Sequence, residues 1–212
     1  RTDDWLVKYW DEPQLLSEKL LPYFNQQDMS ASVIYQYLIL HGMYEHPLRN
    51  GEEIIKSLIR KNVWKKVNEE FSRLQKLWDG PNIPIFIFPA NVNHVALRKE
   101  FNGKSGVAFK DKLFLFISEM NSLEDIKALL IHEYNHVCRL MNYPSKEEDY
   151  TLLDTIILEG LAENAVEEQL GKEFLAKWTL YYSEPKLKHM WQKIILPRSQ
   201  LTKKHQNFED LL

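Results

Sequence analysis

The stretch LLIHEYNHVCRL, residues 129–140, has the texture of an apolar helix, yet it carries two histidines four residues apart and a glutamate directly after the first. Residues four apart share one helix face, so His132 and His136 can direct ring nitrogens at a single ion. Glu133 is turned from His132 by about 100°, which sets it beside such an ion rather than on it. That is the pattern a metal hydrolase needs: two neutral imidazoles to bind Zn²⁺, and a carboxylate to take a proton from a water held there. The competing account is a helix with a surface His pair, since H-E-x-x-H arises by chance in roughly 2 of 100 chains of this composition. Leu129, Leu130, Ile131, Val137 and Leu140 weigh against it. They make the helix a buried one, where a polar pair is either a ligand pair or a costly insertion.

Two histidines leave a zinc site short, because a catalytic zinc takes three protein ligands plus water. A third His six residues after the second, with Gly between, is excluded: those positions are Asn142 and Arg139. The alternative is a carboxylate on a separate downstream helix, and ILEGLAENAVE (157–167) supplies it. Glu159 lies 23 residues after His136, enough for a turn and an antiparallel return. Glu159 is therefore expected as the third ligand. Glu163, one turn on, is expected to accept a hydrogen bond from the distal nitrogen of a ligand ring, His132 being preferred. Small residues at Gly160 and Ala162 suggest close approach of the two helices, and Asp149 and Asp154 are weaker candidates for the third ligand.

Outward from this centre, Ser122 and Asp125 form a capping-box-like start for a helix running to about Met141, where NYP (142–144) ends it. A second helix is expected over about 150–169, with Gly171 as its stop. Upstream, IPIFIFP (83–89) and GVAFKDKLFLFIS (106–118) read as strands, with a turn at Lys110–Asp111 joining Val107–Phe109 to Leu113–Ile117. Pro84 and Pro89 disfavour a central position for the first. The first 80 residues read as helices over 12–24 and 31–44 and as one long period from Ile54 to Trp78, stopped by DGP at 79–81. The tail, 172–212, reads as helical pieces broken at Pro185 and Pro197. The fold class expected is α+β and mainly helical, with a small mixed or antiparallel sheet packed on the H-E-x-x-H helix. A soft boundary near Gly80 divides a helical region, 1–80, from a catalytic region, 81–212, within one compact unit.

The bulk composition narrows the function classes. The chain has 212 residues, 44% hydrophobic and 27% charged, with a net charge of −3, which gives no nucleic-acid footprint. One cysteine, Cys138, excludes an internal disulfide and a Cys-rich zinc finger; it reads as a small packed residue and fits a reducing, cytoplasmic setting. No apolar run is long enough for a membrane span. The chain opens on Arg1, which leaves room for an upstream segment. His41, His46, His94 and His205 lack partners at ligand spacing and read as structural or surface residues. YQYLILHGMY (35–44) reads as packing against the catalytic part or walling a cleft.

His132-Glu133-Tyr134-Asn135-His136 followed by Glu159-Gly160-Leu161-Ala162-Glu163 resembles the gluzincin metallopeptidases, whose thermolysin-like site is HExxH followed by E-x-x-[SA]-[DE]. The wording HEYNHVCRL … LEGLAE is more similar still to the bacterial YjaZ-like family of predicted Zn-dependent proteases, specifically across about 105–170. The resemblance implies a zincin-like fold in which an edge strand pairs with an extended peptide substrate; Leu113, Phe114, Leu115, Phe116 and Ile117 are the candidate strand. It also implies a further C-terminal segment, so FEDLL (208–212) reads as an interrupted ending, and an oxyanion-stabilising His or Tyr, for which Tyr181, Tyr182 and His189 are the candidates.

The expected activity is hydrolysis of peptide bonds through a zinc-bound water activated by Glu133, with a peptide or protein as substrate and partner. The alternatives are a non-catalytic, zinc-stabilised module that binds peptides or a protein, and a zinc hydrolase acting on another bond. Substrate, specificity and oligomeric state are not legible in the sequence.

Overall fold

The computed structural model of the chain describes residues 1–24, 29–205 and 208. Five helices come first: α1 (Thr2–Tyr9), α2 (Pro13–Glu18), α3 (Ala31–Leu40), α4 (Gly51–Arg60) and α5 (Val63–Trp78). Then come β1 (Ile85–Pro89), α6 (Val95–Glu100), β2 (Ser105–Ala108), β3 (Leu113–Ile117), α7 (Leu123–Asn142), α8 (Leu152–Leu170) and α9 (Glu184–Met190). The fold is α+β and mainly helical, with one three-stranded mixed sheet, as expected. Among the described residues no helix is long and apolar enough to cross a membrane.

The long upstream period is two helices rather than one. Asn62 takes a left-handed conformation (φ 54°) between α4 and α5, which Asn tolerates better than most residues. The apolar spacing slips there too, from Leu58 to Val63. Asp79 (φ 48°) and Gly80 stop α5 where DGP predicts it.

The strand order β1-β3-β2 corrects one expectation. Leu113–Ile117 is the middle strand, parallel to β1 and antiparallel to β2, so it has no free edge for a substrate. Its five residues are all buried, which is what LFLFI without a polar alternate should do between two covered faces. Phe86 stacks on Phe114 (4.9 Å between centroids), and Phe24 and Tyr23 cover this pair from the N-terminal part. On the other face lies α7, packed on β2 and β3 and flanked by α5 and α8.

The edge that faces the cleft is β2; at β1, the other edge strand, Ile87 N–H donates to Thr2 Oγ1 and the Pro89 carbonyl accepts from Tyr44 N–H. Phe109 N–H donates to the Lys112 carbonyl at 2.9 Å, closing the hairpin. Antiparallel pairing alternates, so Ser105 and Val107 bond to β3, while Gly106 and Ala108 aim N–H and C=O outward. One buried cluster runs from Leu6 on α1 to Val166 on α8.

Candidate metal centre

Two capping boxes set the helices that carry the chemistry. At α7 the Ser122 hydroxyl accepts from Asp125 N–H (3.0 Å), and Asp125 accepts in return from Ser122 N–H. At α8 Thr151 and Asp154 repeat the device, at 3.1 Å each way. This explains why Asp154 is no metal ligand: its carboxylate is committed to the cap. Asp149 pairs with Lys204 at 2.8 Å. Lys104 ties α7 to the β2 approach through Asp125 (3.1 Å). Burial pushes the Asp125 carboxyl up, but the Ser122 hydroxyl and the Lys104 ammonium outweigh it and hold it below its usual range.

α8 returns antiparallel to α7, so His136 faces Glu159 and His132 faces Glu163. The two Nε2 atoms lie 3.0 Å apart. Glu159 reaches His132 Nε2 at 3.3 Å and His136 Nε2 at 3.5 Å. Among the described residues this trio is the one His/Cys/Asp/Glu group whose ligand atoms converge, all within 4.8 Å. Ligands held ~2.0–2.1 Å from a tetrahedral zinc lie about 3.3 Å from one another, so the observed spacings fit that ion.

Glu163 accepts a hydrogen bond from His132 Nδ1 at 2.8 Å, which leaves Nε2 to face the site. Its second oxygen accepts from Ala176 N–H at 2.8 Å, so the carboxylate is held from both sides. His136 Nδ1 has no partner among the described residues; one ring of the two is braced. Gly160, in contrast, does not mediate helix contact. A Cβ there would meet nothing within 4 Å, and the close-packed small residue is Ala162.

The charges show what the centre is built to hold. For His132, burial opposes the charged ring, yet the hydrogen bonds it donates to Glu159 and Glu163 and the field of Glu133 raise it to about 10. Burial and the His132 charge press His136 down to about 4. Burial works against ionised Glu159 also, but His132, His136 and Lys203 hold its carboxyl below its ordinary value. Without metal, a proton on His132 thus stands where the convergent groups favour positive charge, next to a ring kept neutral and ready to donate a lone pair.

Glu133 stands beside this trio and is 8% exposed. Burial raises it to about 7; His132 opposes that shift and Glu159 adds to it. Its carboxylate occupies the space that a side chain at position 106 would need: a Cβ on Gly106 would lie 2.5 Å from Glu133 Cδ. The glycine of β2 therefore makes the room in which the Glu133 carboxylate sits.

A cleft of about 1100 Å³ opens over these groups, between the β2 edge, α7, α8 and the segment after α8. Tyr37 and His41 help wall it, as the reading of 35–44 allowed; His41 Nδ1 is bonded to the Tyr37 carbonyl at 2.8 Å. His94 caps α6. Cys138 is partly buried beside Tyr134, away from the cleft. Tyr181, Tyr182 and His189 are exposed and do not line the cleft. Tyr150 does, with a buried hydroxyl that has no partner among the described residues. Sequence reading missed Tyr150 and Gly106. The first sits just before a cap and the second in a short strand, and neither belongs to a motif. FEDLL lies, apart from Phe208, outside the described residues.

Comparison with known proteins agrees with this geometry. Residues 63–212 match the model of a family described as Predicted Zn-dependent protease. That span holds Gly106, the HExxH residues, Glu159 and Glu163. The chain is also 36% identical to a protein named YjaZ, from Bacillus subtilis (strain 168), over 213 aligned residues, covering 100% of this chain and 81% of that protein. No solved structure matches.

Proposed function

The chain belongs to the family of predicted Zn-dependent proteases, and we propose that it is a zinc metallopeptidase of the gluzincin type, with His132, His136 and Glu159 holding the ion. The observation that carries this reading is the pairing of that trio with an adjacent buried carboxylate, Glu133, seated in the gap left by Gly106. A site whose purpose is only structural has no use for such a base.

When bound, zinc supplies Lewis acidity, polarising the substrate carbonyl and making a water more acidic. Glu133 accepts the proton of the attacking water and passes it to the leaving amine. Burial lifts the Glu133 carboxyl above its ordinary range, which favours its taking up a proton. Glu163 fixes the His132 ring and its tautomer. The outward N–H and C=O groups of Gly106 and Ala108 are the edge on which an extended peptide would pair, a role that passes from β3 to β2.

The test uses the zinc-loaded chain and an unfolded protein such as casein, with and without chelator. The expected result is chelator-sensitive cleavage. Glu133→Gln is expected to keep the zinc and lose turnover by on the order of 10²–10⁴-fold. Zinc uptake with no cleavage, or full activity in the glutamine variant, sinks the reading. A zinc-loaded chain that binds peptides without cutting them would instead be a binding module.

A further inference from the structure

A second region of the chain follows α8; its first residues and Lys203 line the cleft, while 179–202 do not. Residues 172–204 carry eight Lys and Arg against two acids, Glu173 and Glu184. That is a local net charge of +6 in a chain whose total is −3, so the remaining residues carry −9. The same region is unusually apolar at its surface. Leu180 is 78% exposed, Leu196 54% and Trp191 39%, with Tyr181, Leu187 and Ile194 also open to solvent.

The two properties are organised on one rod. α9 continues without a break through wide π turns (Trp191–Ile195) and a 3₁₀ turn (Leu196–Arg198). Its contacts are chiefly with its own successive turns. Leu187 and Trp191, four apart, share one side, and Ile194 follows within the π turns. Lys186, His189 and Lys193 recur at steps of three and four on another. Lys186 also lies 4.3 Å over the Tyr182 ring, and Lys188 pairs with Glu184 at 2.7 Å.

We propose that the segment 179–198 docks the protein on an anionic lipid surface. A helix with a basic polar side and a Trp- and Leu-bearing apolar side lies in the plane of a membrane interface. The lysines meet the headgroups, the apolar side sinks to the acyl boundary, and the tyrosines stay at headgroup level. The −9 carried by the rest of the chain is repelled by the same lipids, so one orientation is selected. This inference is independent of the hydrolytic reading.

The experiment is co-sedimentation of the full chain with phosphatidylcholine vesicles, alone and with about 30% phosphatidylglycerol. Binding to the anionic vesicles only, released by high salt, is expected. K186E/K188E/K193E is expected to weaken it on the order of 100-fold, from roughly five-fold per basic charge at such a surface. L187S/I194S should weaken it with all lysines intact, and far-ultraviolet circular dichroism checks that both variants stay folded. No binding, or equal binding to neutral vesicles, overturns the proposal. So does a dimer that L187S/I194S dissolves without any vesicle binding, or capture by polyglutamate as tight as by the anionic vesicles.

Discussion

Gly106 and Glu133 compete for one volume, and the glutamate has it. A methyl group at position 106 would lie 2.5 Å from the Glu133 carboxyl carbon, where no real Cβ sits. Gly106→Ala is expected to push the carboxylate aside while His132, His136 and Glu159 keep their places. Zinc content should hold and kcat should fall at least ten-fold, since a misplacement of ~1 Å at a reacting group can cost as much as 10²-fold. Unchanged kcat in that variant would show that the base works from another position. In the proposed mechanism Glu163 acts through His132, whose Nδ1 it holds, rather than on a substrate. Glu163→Gln keeps the side chain's size and removes its charge, so zinc affinity should drop about 10–100-fold, the usual effect of losing such a partner. Competition against a chromophoric chelator measures it. His132 and His136 were visible at once, because four-residue spacing survives any tertiary arrangement. Gly106 was not, because only the packed structure reveals what presses on a glycine.

At the scale of elements, the metal helices depend on their first turns. Removing a cap of this kind costs about 1 kcal/mol. Asp125→Ala should therefore lower stability by about that much, with loss of the Lys104 contact adding to it. The pH dependence has a definite sign. The Asp125 carboxyl is held below its ordinary value of 3.8, so its contribution is fully present above that value and is lost as pH falls through the lower, folded value. Denaturant titrations between neutral pH and pH 3 should show a steeper acid loss in the parent chain than in Asp125→Ala; parallel curves would remove Asp125 from the account. The α7 cap, the DGP stop and both histidine- and glutamate-bearing helices were legible in the sequence, because each depends on neighbours three or four residues away; the α8 cap was not, and Asp154 read instead as a ligand candidate. The break at Asn62 and the central place of Leu113–Ile117 could not. A run of alternating Leu and Phe fits an edge or a middle strand equally well until its neighbours are known.

At the scale of the molecule, the centre joins α7 to α8, and Glu163 joins both to the segment after α8 through Ala176. An ion held by the folded chain alone stabilises it by mass action, by about 2.7 kcal/mol at a hundred-fold excess over Kd. For a chain of this size that is roughly 5–10 °C in Tm. Stripping zinc with chelator should lower Tm by that order, and added zinc should restore it. At pH 7 the uptake should release about one proton, because His132 is held charged up to about 10 and must be neutral to bind. Calorimetry in buffers of differing ionisation enthalpy counts that proton.

The sequence by itself determined the candidate ligand types, their spacing, the helices that carry them and the family they resemble, because helical periodicity and capping are local properties of the chain. It also contained the charge asymmetry of residues 172–204, which is a matter of counting. Only the tertiary structure decided that β2 rather than β3 is the edge that faces the cleft, that Gly106 makes the seat of Glu133, and that Tyr150 rather than Tyr181 or Tyr182 lines the cleft. Those facts concern which segments, far apart in the chain, come to occupy the same space. Such contacts are set by packing the whole core, and no short window of sequence encodes them.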